Sequence, residues 1–283
     1  MRTPLLTTLA LVGFAANSIL CRGALGGLRI DAASFSSVRL ASGAITLAIL
    51  HAFMAGSVKR PSGSWGSALL LLLYAVPFSF AYNTLGTATG ALILFGAVQA
   101  TMLIAALVTG ERPHRLQWLG LVLAAVGLVY LMLPGLEAPE PVGSVLMAVA
   151  GVAWGFYSLR GRGSNDPLAD TAGNFIRSVP MVALVSLASL SEFHISPVGG
   201  TLAVASGALA SGIGYSIWYA ALRGLTATMA ATVQLSVPII AAVGGVLFMA
   251  EGITERLVLS SVLILGGVGM ASLTGRRPSF KSS

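Results

Sequence analysis

Residues 10–23 read ALVGFAANSILCRG, and residues 148–161 read AVAGVAWGFYSLRG. Laid 138 residues apart, they share Ala10/Ala148, Gly13/Gly151, Ala15/Ala153, Arg22/Arg160 and Gly23/Gly161. The register continues: Arg39 in SSVRL falls on Arg177 in NFIRS, and Thr-Ala-Thr occurs at 87–89 and again at 226–228. Near the end of each half Glu111/Glu251, Val122/Val262, Leu123/Leu263 and Gly127/Gly267 recur 140 residues apart. The chain is a duplication, and the question is what a duplicated apolar segment builds.

Composition sets the solvent. With 56% hydrophobic and 9% charged residues and a mean hydropathy of +0.89, the chain has more apolar surface than one water-soluble core can hide. A spanning helix needs roughly 20 apolar residues. Glycine, proline and charge interruptions cut the sequence into spans at 5–24, 34–53, 65–82, 88–109, 115–132, 141–159, 172–190, 198–220, 226–249 and 256–273. These runs are too long for membrane strands and do not alternate with period two, which excludes a barrel. The fold class expected is an all-α integral membrane protein with ten transmembrane helices. The first run, Leu5 to Leu20, imitates a signal peptide but lacks a small-x-small cleavage site and reads as helix 1.

A net charge of +7 would suggest nucleic acid in a soluble protein, but here position matters more than total. With the N-terminus inside, Arg2, Lys59, Arg60, Arg112, Arg115, Arg160, Arg162, Arg223, Arg276, Arg277 and Lys281 fall on the cytoplasmic side. The outer loops carry Glu137, Glu140, Glu192, Glu251 and Glu255 against Arg29 and Arg256. Both termini are thus expected in the cytoplasm, and no nucleic-acid partner is expected. Each copy holds five helices, an odd number, so the second enters the membrane inverted: 1–134 is one five-helix repeat and 135–283 the other. Inverted repeats are a signature of secondary transporters, whose sites lie near the midplane between the halves.

The paired Arg22/Arg160 and Arg39/Arg177, the stretch TGERPHRLQWLGLVLAAVGL around Glu111 and the stretch VPIIAAVGGVLFMAEGIT from Val237 to Thr254 resemble the EamA-type branch of the drug/metabolite transporter superfamily. Within it the overall look is similar to bacterial aromatic amino-acid exporters. The resemblance implies a carrier in the bacterial inner membrane, in which helices 1, 3, 4, 6, 8 and 9 surround a cavity while 5 and 10 sit at the periphery. It also implies a small-molecule substrate, neutral or aromatic amino acids first and amphipathic drugs or quaternary amines second. One departure is visible: the family usually carries proline in both halves at the Pro238 position, and the first half has Val98-Gln99.

The residues themselves nominate a site. Polar groups in hydrocarbon are costly unless they face protein or water, and Asn17, Gln99 and Gln234 fall near mid-span, although each also suits an interhelical hydrogen bond. In helix 6, Gly151 and Gly155 let a partner approach closely, while Trp154 and Tyr157 share a stripe. Tyr215 in helix 8 lies one turn deeper than Trp218 and Tyr219, which read as an aromatic belt with Trp65 and Trp118. The candidates for substrate binding are therefore Asn17, Gln99, Trp154, Tyr157, Tyr215 and Gln234. Arg39 and Arg177 read as snorkelling or capping residues, with holding neighbouring carbonyls or a substrate carboxylate as the alternative, and Glu111 and Glu251 as anions at the positive ends of helices 5 and 10, with a gating salt bridge as theirs. Pro77, Pro180 and Pro238 are expected to kink their spans.

His51, His114 and His194 lie near helix ends or loops, and no HExxH, GxSxG, P-loop or paired intramembrane aspartates appear. An enzyme is therefore not expected; a channel or structural membrane protein is the competing class. No cofactor or metal is expected, and Cys21, the one cysteine, reads as a small packing residue.

Overall fold

The computed structural model describes residues 2–55, 61–108, 115–133, 138–161, 164–222, 225 and 233–273. Glu111, the second Thr-Ala-Thr and the basic residues Lys59, Arg60, Arg162 and Arg223 lie outside the described residues. The described chain is helical, with one isolated bridge between Ile30 and Ile195. Its helices are α1 (Arg2–Leu25), α2 (Ala32–Ala55), α3 (Trp65–Ala81), α4 (Thr87–Val108), α5 (Arg115–Met132), α6 (Pro141–Gly161), α7 (Pro167–Ala188), α8 (Pro197–Leu222), α9 (Ser236–Met249) and α10 (Glu255–Leu273). Among the described residues five of them, α1, α2, α6, α7 and α8, are long and apolar enough to cross a membrane. Many large apolar side chains point outward, Leu5, Ile45, Leu184 and Phe248 among them, as a lipid-facing surface requires.

Caps set several boundaries. Ser64 accepts a hydrogen bond from Ser67 N at the start of α3. Asp166 and Ser196 cap α7 and α8, each followed by proline at the first helical position. That Asp-Pro start explains why α7 begins at Pro167 rather than at 172. A hydropathy window discards the polar first turn, whereas the backbone follows the cap. Pro77 and Pro180 lie inside α3 and α7. Pro238 sits in the first turn of α9, just after a turn at Leu235 that separates it from the helical residues 233 and 234, so the expected span is broken at this proline rather than only kinked.

The helices pack in a specific set of neighbours. α1 lies against α8 and α9, α6 against α3 and α4, α2 against α7 and α8, α3 also against α7, and α5 against α10. The α6–α4 contact runs through the predicted glycines: a Cβ on Gly151 would meet Leu94 O at 2.5 Å, and one on Gly155 would meet Thr101 Cβ at 2.8 Å. α8 is not a uniform helix, since Ser206–Ile213 forms π-helical turns in its middle. Here Gly207 passes α2 so closely that an added Cβ would overlap the Arg39 carbonyl oxygen and the Ser42 hydroxyl.

Contacts between helix ends fix the directions. At one end the C-terminus of α1 meets the C-terminus of α3 through Arg22 and the Tyr82 carbonyl, 3.1 Å. There the start of α4 meets the end of α9 through Thr87 and Glu251, and Ser37 of α2 meets Ser186 of α7 at 2.7 Å. At the opposite end the start of α3 meets the first turns of α7, where Ser64 N donates to Asn174 Oδ1 at 2.9 Å.

Candidate functional site

The centre of the bundle holds a small cavity, closed down to about 10 Å³, bounded by Phe14, Asn17 and Ser18 of α1, Tyr74 and Phe78 of α3, Leu94 and Phe95 of α4, Trp154 of α6 and Tyr215 of α8. Its walls are mostly aromatic. Trp154 lies 4.8 Å from the Tyr74 ring and 5.0 Å from that of Tyr215, and Phe14 packs edge-on against Trp154, Tyr215 and Trp218 at 6.2, 5.9 and 5.5 Å. Such pairs each contribute about 0.5–1.5 kcal/mol beyond buried area, so the cluster holds its shape.

A polar cluster runs along one wall. Asn17 Nδ2 donates to the Tyr74 hydroxyl at 3.3 Å, and Asn17 Oδ1 accepts from Ser206 at 2.6 Å. Arg39 lies behind the same tyrosine, 1% exposed. Its Nη2 donates to Tyr74 Oη at 2.9 Å and its Nε to Ser211 Oγ at 3.3 Å, while Nη1 has no partner. The guanidinium carbon stands 5.0 Å from the Tyr74 ring centre and 5.1 Å from that of Phe78. Ser206 and Ser211 both come from the π-turns of α8, whose extra width per turn brings two hydroxyls to α1 and α2 together.

Arg39 therefore does not snorkel. α3, α8 and its own helix cover it, two turns inside α2. Burying an ion costs several kcal/mol. Two ring faces and two hydroxyls offset part of that. Arg177 neither snorkels nor caps a helix end: it is half-buried and holds two neighbouring carbonyls, Gly173 O inside its own helix at 2.9 Å and Ser62 O ahead of α3 at 2.6 Å.

A second cavity of about 310 Å³ opens at the end where α3 and α7 begin. Tyr157, Arg160, Asp170, Asn174 and Tyr219 line it together with the 62–64 segment. Asp170 gathers this mouth, accepting from the Ser62 and Ser164 hydroxyls and from Gly63 N at 3.0 Å. Gly63 holds φ +90, a conformation glycine adopts without penalty. Tyr157 accepts from Asn174 Nδ2 at 3.3 Å and stacks on Trp154 at 5.6 Å and 28°. The Trp154–Tyr157 pair is thus the partition between vestibule and central cavity.

The opposite end is tied shut. Both carboxylate oxygens of Glu251 accept from Thr87 N, at 2.9 and 2.8 Å, Oε1 also accepts from the Thr87 hydroxyl at 3.1 Å, and Arg22 Nε lies 3.4 Å away. Ala250, at φ +53, turns the chain back to deliver this side chain. Glu251 does serve a positive helix end, but that of α4 rather than α10, and it makes the ion pair as well. Nearby, Glu140 accepts from the Gly143 and Val142 amides, which hold its carboxyl below the usual carboxylate range.

Of the six predicted site residues, Asn17, Trp154 and Tyr215 meet at the central cavity, and Tyr157 stands at its partition. Gln99 on α4 and Gln234 just ahead of α9 are buried but stand outside the lining of these cavities. Trp218 is not a belt residue: it is 5% exposed and packed on Phe14, because α1 lies over that face of α8. Tyr219 lines the vestibule, while Trp65 and Trp118 are exposed as a belt requires. Sequence reading missed Phe14, Tyr74 and Phe78, and put snorkelling or capping ahead of a site role for Arg39. A fixed charge inside a span was the available signal for the last of these. Among the described residues no three His, Cys, Asp or Glu side chains gather to hold a metal.

Helical spans around a closed central chamber, with a vestibule on one side and a polar tie on the other, define a polytopic membrane protein of the transporter class. Residues 141–273 match the EamA-like transporter family, which is a transporter and not an enzyme family. The chain belongs to one family with the uncharacterized protein PA1977 of Pseudomonas aeruginosa, 48% identical over 269 residues that cover 95% of this chain and 94% of that one. The threonine/homoserine exporter RhtA of Salmonella typhimurium is 31% identical over 183 residues, 62% of this chain, which spans about 60% of that exporter. A solved crystal structure of a protein superposes over 97% of this chain and 99% of its own with a TM-score of 0.65 at 19% identity, a likeness of fold alone.

Proposed function

We propose that the protein is a secondary transporter of the bacterial inner membrane that exports small metabolites, neutral or aromatic amino acids first among them, by alternating access. The observation that carries this reading is the aromatic chamber at the bundle centre, sealed by Glu251 and Arg22 on one side and reached from a vestibule on the other. α1, α3, α4, α6 and α8 line that chamber and α5 and α10 do not, in keeping with the expected arrangement, whereas α9, expected at the cavity, contributes no lining residue.

An inverted repeat divided near residue 134 is supported by the neighbour pattern. Exchanging every helix for the one five places along turns α1–α9 into α6–α4, α1–α8 into α6–α3 and α2–α8 into α7–α3, and each of these contacts is present. Thr84, past the end of α3, donates to Glu140 ahead of α6 at 3.2 Å, and Ser196 N, ahead of α8, donates to Arg29 O past the end of α1 at 2.8 Å, so α1 runs opposite to α6, α3 to α8 and α4 to α9. Cysteines at Glu140 and Glu192 are then expected to react with an impermeant thiol reagent from outside intact cells, and those at Lys59 and Arg162 only after lysis. Native Cys21 is fully buried, so the background is low. The reverse pattern would refute the orientation.

The acids bear on energetics. Proton-driven carriers place an ionisable carboxylate or histidine within the membrane, whereas Asp31, Asp166, Asp170, Glu140, Glu192, Glu251 and Glu255 all occupy loops or helix ends. Transport is therefore read as following the substrate gradient. Liposomes holding the purified protein are expected to show saturable counterflow of labelled phenylalanine, with no net accumulation when a pH gradient is imposed at equal substrate. Flux that never saturates would indicate a channel. Uphill accumulation abolished by a protonophore would restore proton coupling.

A further inference from the structure

We infer that Arg39 is the anchor for a substrate carboxylate, and that the central site takes monoanionic aromatic carboxylates whose amino group, where there is one, is not required. This rests on the carrier reading above and specifies its substrate class.

Arginine keeps its charge at every accessible pH, so Arg39 is a permanent cation in the middle of an apolar bundle. It has no acidic counterpart: among the described residues the ion pair is Arg22–Glu251, at the sealed end. The nearest groups to Arg39 are the hydroxyls of Tyr74 and Ser211 and two ring faces, and Nη1 has no hydrogen-bond partner. A donor fork with an unused arm matches a planar carboxylate.

Tyr74 connects this cation to the chamber, because the same residue accepts from Nη2 and forms part of the chamber wall. A carboxylate entering beside Tyr74 replaces its hydroxyl at Nη2 and gains Nη1 in the same plane. The rings of Phe14, Trp154 and Tyr215 then offer faces and edges to an aromatic body. An ammonium group meets ring faces and the unpartnered Tyr215 hydroxyl on this wall, but no counter-charge. Asn17 Oδ1 already accepts from Ser206, and no carboxylate lines the chamber. A quaternary amine would meet an uncompensated positive charge.

Purified full-length protein, followed by quenching of its tryptophan fluorescence, is titrated with 3-phenylpropionate, phenylalanine, phenylalaninamide and phenethylamine. The two carboxylates are expected to bind, and the two compounds without one at least ~10-fold more weakly, the factor a charge-assisted hydrogen bond contributes. Arg39→Gln is expected to weaken 3-phenylpropionate by ~10- to 100-fold, and Arg39→Lys by less. The wild-type ligand series decides the matter even where a variant does not fold. Phenethylamine binding as tightly as 3-phenylpropionate, unchanged affinity in folded Arg39→Gln, or no quenching by any of the four would overturn the anchor. The two readings fail separately. Counterflow of phenethylamine with none of phenylalanine removes the anchor and leaves the carrier. Carboxylate binding through Arg39 without counterflow of phenylalanine removes the carrier and leaves the anchor.

Discussion

Glu251→Gln is expected to loosen the sealed end of the bundle and let the central chamber open towards it. The carboxylate holds three elements at once: α9, from which it hangs, the N-terminus of α4 through Thr87, and α1 through Arg22. Glutamine keeps the size but loses the charge, and only one end of its amide accepts hydrogen bonds. The ion pair is 24% and 20% exposed, so its Coulombic part is screened and worth under ~1 kcal/mol. The charge at the helix end and the charge-assisted bonds to Thr87 add about 1–2 kcal/mol. About 2 kcal/mol in total corresponds to a roughly thirtyfold shift between closed and open forms. Ser18 lines the chamber and is buried. A cysteine there, in a Cys21→Ala background, is expected to react with an impermeant maleimide at least tenfold faster when Glu251 is replaced. An unchanged rate would mean that this network ties helices together without gating.

Gly207→Val is expected to be strongly destabilising. Its new Cβ would overlap the Arg39 carbonyl oxygen and the Ser42 hydroxyl. The carbonyl is the serious obstacle, because a hydroxyl can rotate away and the backbone of a packed helix cannot. Overpacking costs about 1–3 kcal/mol where side chains yield and more where they do not, against a total stability of order 10 kcal/mol. The variant should therefore fail to elute as a folded species. Gly266→Ala is the matched control: nothing lies within 4 Å of its added Cβ, and alanine favours the helix by up to ~1 kcal/mol. Its melting temperature in detergent is expected at or above that of the parent. Wild-type melting by Gly207→Val would mean that α2 and α8 do not approach this closely.

The ten helices were legible because apolar run length and the interrupting glycines, prolines and charges are local properties. Boundaries went wrong where a polar cap lies ahead of the apolar run, as at Asp166. A third of the chamber lining was legible as well. Asn17 is conspicuous as an amide in a span, and Trp154 and Tyr215 as large amphipathic rings at depth. Tyr74 was not, since in LLLLLYAVPF every face of the helix is apolar and no periodicity says which way the ring points. Phe14 is hidden for the same reason. Arg39 was misjudged because sequence supplies depth along a helix but not cover. What removes it from the interface is α3 and α8, which are 35 and 172 residues away at their contacts with it. Trp218 was drawn to the interface by its nearness to Arg223, whereas its azimuth is fixed by the irregular turn upstream.

That irregular turn also works as a phase-setter for the rest of α8. π-helical turns hold more residues than α-helical ones, so Ser206–Ile213 stores residues that a regular helix would have spent on rotation. Each stored residue corresponds to about 100° of azimuth. Tyr215 and Trp218 stand downstream, and their meeting with Phe14 depends on that stored angle. Were the turn to relax to α-helical pitch, the same two rings would swing together off the chamber wall, and the pore face of one half of the bundle would change while its contacts upstream of residue 206 stayed in place. The π-turns thus set the azimuth of Tyr215 and Trp218 at the place where the hydroxyls of Ser206 and Ser211 reach α1 and α2.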